Sequence, residues 1–113
     1  MSYEFAAARS RRPTVIYVLD EFREVDVDPD EALKLMKADP LKLFDSVRKV
    51  VEEELGRIRG VEVGARYLGK DEGVVEFLLE TDIGHPAIKV IVSEDPAKAL
   101  RKFYEAEKTS SMR

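Results

Sequence analysis

The sequence predicts an α+β domain: a two-layer sandwich in which a four-stranded sheet carries helices on one face, in the order β-α-α-β-β-β-α. Three observations lead to it. Asp-Pro is written three times, in VDPDEALK, ADPLKLFD and EDPAKALR, each time just ahead of an apolar repeat. From Leu41 to Ile58 the apolar residues recur at three- and four-residue steps, the spacing of one helix face. Three later segments are short, rich in β-branched residues and bounded by glycine or proline, as strands are.

Residues 1–12 (MSYEFAAARSRR) hold no sustained period and read as a flexible N-terminal arm. TVIYVL, residues 14–19, is the first strand, and EFREVDV prolongs it past a bulge at Asp20–Glu21. Asp28 then caps a short helix that runs from Pro29 to Lys37 and carries Leu33 and Met36. An Asp side chain accepts from the free N–H groups of a first turn, and Pro loses nothing at the first helical position. Asp28 and Glu31 have the spacing of a capping box. Calcium is the rival reading of Asp26, Asp28 and Asp30. An EF-hand loop, however, needs Gly at its sixth position and Glu at its twelfth, where this chain has Glu31 and Lys37.

Asp39–Pro40 opens the second helix, with Leu41, Phe44, Val47, Val51, Leu55 and Ile58 on one face and Gly60 as its stop. Strands follow at 61–68, 74–81 and 87–93, the first two joined by the hairpin loop GKDEG. Asp95–Pro96 opens the last helix, which buries Leu100 and Phe103. Residues 13–108 form a single domain and 109–113 a polar tail.

The 113 residues carry a net charge of −4, with 37% of them charged, and include no Asn, Gln, Cys or Trp. Loss of the thermolabile amides with enrichment of Glu, Lys and Arg predicts a thermophilic origin. Without cysteine there is no disulfide, no thiolate nucleophile and no sulfur-ligated metal. No apolar run approaches the roughly 20 residues of a membrane helix. TVIYVL behind Arg11–Arg12 is too short for a signal core, so the expected location is cytoplasmic with no membrane contact.

Charge is unevenly spread. Acids crowd the segment from Asp20 to Glu31, where Arg23 is the only base. Between Arg57 and Lys70 the bases Arg57, Arg59, Arg66 and Lys70 meet Glu62 alone. Arg9, Arg11 and Arg12 form a second basic group on the arm.

Side chains of a strand alternate between faces, so each face can be read by parity. One set, Val61, Val63, Ala65 and Tyr67 with Val75, Phe77, Leu79, Ile88, Val90 and Val92, is apolar and is expected to meet the helices; either parity of the first strand would serve, and Val15, Tyr17 and Leu19 are paired with this set. The opposite set should be polar. Instead it mixes Ile16, Val18, Leu68, Val74, Leu78 and Ile91 with Thr14, Arg66, Glu76, Glu80 and Lys89. Such a half-apolar face is normally covered, either by the arm and last helix folding back or by another molecule.

No Walker or dinucleotide-binding glycine pattern is present, and GARYLGKDEGVVEF lacks the aromatic signature of an RNA-recognition motif. His85 is the only histidine and lies near Asp82, but no nucleophile is placed beside the pair by spacing. No metal site, no cofactor and no catalytic residue is therefore expected. The leading expectation is a non-catalytic binding module that takes single-stranded DNA or RNA through the second sheet face. Its contacts would be the stretch Arg57, Arg59, Arg66 and Lys70, with Lys89 and the arm residues Arg9, Arg11 and Arg12. The alternative is a homo-oligomeric subunit, a dimer first of all, whose interface is Ile16, Val18, Leu68, Val74, Leu78 and Ile91. A small enzyme using His85 and Asp82 comes third.

Overall fold

The computed structural model describes residues 13–111. They form β1 (Thr14–Val18), β2 (Glu21–Glu24), α1 (Pro29–Ala38), α2 (Pro40–Leu55), β3 (Ile58–Leu68), β4 (Gly73–Thr81), β5 (Ala87–Val92) and α3 (Pro96–Ser111). The strands make one sheet in the order β2-β1-β5-β4-β3, with every neighbouring pair antiparallel. The α+β class holds. The count of four strands and the placement of all helices on one face do not.

The fifth strand comes from EFRE. It does not prolong β1. The chain reverses through Leu19 and Asp20, both at positive φ (52° and 62°), and Val18 pairs with Glu21 across a two-residue hairpin. That turn type matches the twist of the flanking strands. A leucine in the left-handed region costs about 1–2 kcal/mol, so the turn stores strain at an exposed tip.

The caps behave individually. Asp28 Oδ2 accepts from Glu31 N–H at 3.0 Å, and Asp95 Oδ1 from Lys98 N–H at 3.2 Å. Asp39 occupies the N-cap position of α2, but its side chain makes no cap bond. Asp39 serves at once as the C-cap of α1, donating its N–H to Leu35 O, so its backbone is committed to both helices. The last helix continues to Ser111, past the expected start of the polar tail at residue 109.

α1 and α2 cover one sheet face. Phe44, Val47 and Val51 of α2 and Met36 of α1 are buried there against Ile16, Val75, Phe77, Ile88 and Val90. Phe44 and Phe77 stack in a tilted pair at 5.1 Å between centroids. Gly73 leaves the space that this packing needs, since a Cβ on it would lie 2.7 Å from Met36 Sδ. At the far edge, Arg23 of β2 reaches Glu53 and Glu54 of α2 at 3.0 and 2.7 Å.

α3 lies on the other face, where Ala99, Leu100 and Phe103 pack on Val15, Val74 and Ile91. The molecule is thus a sheet with helices on both sides. Parity fails in two strands. In β1 the residues facing α1 and α2 are Ile16 and Val18, while Val15 turns to α3. In β3 the register shifts by one between Val63 and Arg66, so Val61 and Val63 face α2 while Ala65 and Tyr67 face α3. A bulge inserts one extra residue and exchanges the two faces beyond it. Gly64 sits at the shift, and a Cβ there would lie 2.6 Å from Glu76 Oε1.

Candidate interaction surface on the second sheet face

The cross-strand register sorts the α3 side of the sheet into rows about 7 Å apart, two residues of strand rise. The first row is Tyr67, Val74, Ile91 and Val15, each directly opposite the next. It is apolar and lies under α3. The second row is Glu76, Lys89, Tyr17 and Phe22. Glu76 and Lys89 pair at 3.6 Å with both side chains largely buried. The Lys89 ammonium also stands 5.3 Å from the Tyr104 ring centroid, and Tyr17 and Phe22 meet at 4.8 Å. The third row is Glu62, Leu78 and Ala87, and the fourth Gly60 and Glu80. Neither is covered by a helix: Glu62, Leu78, Glu80 and Ala87 are all exposed.

A polar cluster pins α3 over the first row. Glu72 lies in the β3–β4 turn, at the covered end of the sheet. Its Oε2 accepts from Tyr67 Oη at 3.0 Å and from Lys102 Nζ at 2.9 Å, and its Oε1 accepts from Ser93 Oγ at 3.1 Å. The Lys102 bond, with those from Tyr67 and Ser93, holds the Glu72 carboxyl below the ordinary carboxylate range. In turn the bond to Glu72 raises Lys102. Burial, then the Glu72 bond, raises the Tyr67 phenol. Every oxygen of this carboxylate is occupied, so it serves as a fastening and is badly placed to take a proton from a substrate. The cluster is not legible in the sequence because strand parity alone, without the register shift in β3, places Tyr67 on the opposite face.

The uncovered end gathers large apolar side chains. Leu19 (63% exposed), Phe22 (44%), Leu78 (41%) and Ile83 (73%) all belong to the end of the sheet where the β1–β2 and β4–β5 turns lie. On the β3–β4 side of this end a shallow open groove of about 530 Å³ is lined by Gly60, Glu62, Leu78, Glu80 and His85, so that Leu78 alone of the four borders it. Acids border it. Glu62 and Glu80 have no ion-pair partner among the described residues, whereas Asp82 is taken by Arg59 at 3.0 Å.

The basic residues expected to bind nucleic acid do not converge. Arg59 is paired with Asp82. Arg66 turns to the α1 side because of the bulge and donates to Met36 O at 2.9 Å. Arg57 and Lys70 are exposed in the connections at opposite ends of β3. Lys89 alone lies on the second face, paired with Glu76. Arg9, Arg11 and Arg12 fall outside the described residues. Of the residues expected at an interface, Ile16 and Val18 are buried under α1 and α2, and Val74 and Ile91 under α3. Leu68 is exposed on the α1 side, where its Cδ2 adjoins Gly73. Leu78 remains on the open face. His85 is exposed, and no hydrogen bond joins it to Asp82. Among the described residues no three His, Asp or Glu side chains gather to hold a metal ion, and no helix is long and apolar enough to cross a membrane.

No protein-family model, no curated protein and no solved structure matches the chain.

Proposed function

We propose that this protein is a non-catalytic binding subunit whose working contact is with protein, made through the uncovered rows of the second sheet face. The observation that carries the reading is the gathering of Leu19, Phe22, Leu78 and Ile83 at one end of the sheet, beside the groove of Glu62 and Glu80. Large apolar side chains left exposed together on one part of a surface, with polar groups around them, point to an interaction site. The strained Leu19–Asp20 turn at the same end adds to it, since backbone strain persists where it serves a contact. Unpaired carboxylates on the rim favour a protein partner over a phosphate backbone.

A full-length variant with Leu78→Glu and Ile83→Glu tests this, compared with wild type for hydrophobic-dye binding and for solution molar mass. Wild type should bind dye or self-associate, and the folded variant should do neither. If wild type does neither and the variant is indistinguishable from it, the surface is merely tolerated in water.

Single-stranded nucleic acid is the second reading, favoured by the ring cluster of Tyr17, Phe22 and Tyr104 around Lys89. Rings beside a cation are what sequence-tolerant strand binding uses. Phe22→Ala and Lys89→Ala should then each weaken a salt-sensitive mobility shift of labelled single strands. Absence of any shift at low salt removes it.

A further inference from the structure

We propose that the occupant of the uncovered strip is a second copy of this chain, bound about a two-fold axis so that α3 of each copy lies across the third and fourth rows of the other. This deepens the reading of that strip as a protein contact and rests on it.

Two rows about 7 Å apart form a strip roughly 14 Å wide, and a helix with its side chains is about 10–12 Å across. One helix fits. Small residues, Gly60 and Ala87, keep the floor of the strip low around Leu78. The same fold already shows a helix seated on the neighbouring rows of this face, namely α3.

The charges then select which helix. Ala99, Leu100 and Phe103 turn to the home sheet, which puts Lys98 and Arg101 on the outward side of α3, and both are exposed. Neither has an ion-pair partner among the described residues, and the same holds for Glu62 and Glu80 on the strip. Further along the outward side Glu105 and Lys108 balance in charge. Among the described residues, one half of the face therefore offers cations without an ion pair on a helix, and the other half offers carboxylates without one on a strip one helix wide. An isologous contact joins such halves twice, residue i to j and j to i. The alternative of strip against strip would press Glu62 and Glu80 onto their own copies, which like charge disfavours. With the axis across the strands, both α3 helices share a single layer between two sheets.

The test is the molar mass of the full chain by light scattering over a range of concentrations, with four proteins. They are wild type, Glu62→Lys with Glu80→Lys, Lys98→Glu with Arg101→Glu, and all four substitutions combined. Wild type should be a dimer. Each charge reversal should weaken it at least about tenfold, and the combined variant should recover it. Circular dichroism establishes that each variant is folded, and the combined variant controls for damage by either reversal. A monomeric wild type overturns the proposal, as does a dimer indifferent to both reversals, or a folded combined variant that stays monomeric. A wild-type monomer that still binds dye, and loses it with Leu78→Glu and Ile83→Glu, removes the second copy while leaving the strip as a contact surface. Failure to bind dye in that monomer removes both.

Discussion

Replacing Glu72 by Ala should loosen α3 before it unfolds the rest. The helix is held by Ala99, Leu100 and Phe103 below and by Glu72 at its side. Removing the carboxylate leaves the Tyr67 and Ser93 hydroxyls without their acceptor. Each hydroxyl bond contributes about 1 kcal/mol net, and leaving the buried Ser93 donor unpaired adds to that. Ser93 keeps one bond, accepting from Asp95 N–H at 3.0 Å, so the N-terminus of α3 stays anchored. The sum is about 2–3 kcal/mol, a drop in melting temperature on the order of 10 °C for a domain of this size. The Lys102 contact is exposed to solvent and is left out of that sum. Urea unfolding measures the loss, and amide hydrogen exchange locates it. Amides of α3 should exchange faster in the variant while those of α2 follow the global stability alone. A loss under about 0.5 kcal/mol, or equal acceleration in α2 and α3, would refute the idea that Glu72 fastens the helix to the sheet.

The same carboxylate predicts a pH dependence. Its folded value lies below the ordinary range, so its contribution is full above that range and is lost as pH falls through the depressed value. Acid melts of wild type should therefore show a slope that Glu72→Gln reduces, and parallel curves would count against it. Asp28→Ala should cost about 0.5–2 kcal/mol because a cap bond is lost, whereas Asp39→Ala should cost less because its side chain caps nothing; chemical denaturation of the two variants ranks them. Gly73→Ala should destabilise by about 1–3 kcal/mol, since its new methyl would meet Met36 Sδ inside a packed core. Thermal melts check this, and a neutral effect would mean that Met36 moves aside freely.

The sequence by itself determined most of the local elements, although EFRE forms a strand of its own and Ile58, expected on the face of the second helix that Gly60 would stop, opens β3 after a helix that ends at Leu55 and Gly56. Asp28–Pro29, Asp39–Pro40 and Asp95–Pro96 do open the three helices, because the proline ring suits the first turn of each and the Asp28 and Asp95 side chains add a cap bond within it. The apolar periods of α2, β4 and β5 likewise placed Phe44, Val47, Phe77, Ile88 and Val90 in the core. What local pattern could not carry was the identity of each face. In β1 both parities are apolar, because the strand is buried on both sides, so alternation held no information. In β3 a single extra residue near Gly64 exchanged the faces of everything after it, moving Arg66 away from Lys89 and Tyr67 beneath α3. The basic stretch from Arg57 to Lys70 is continuous in sequence and divided in space for that reason. Only the tertiary structure decided that α3 covers the first row and borders Tyr17 and Lys89 of the second, while it leaves Phe22, Glu62, Leu78 and Glu80 open. The reason is physical: the side of a sheet on which a helix packs, and how far along it, depends on contacts between segments distant in the chain, and no local period encodes them.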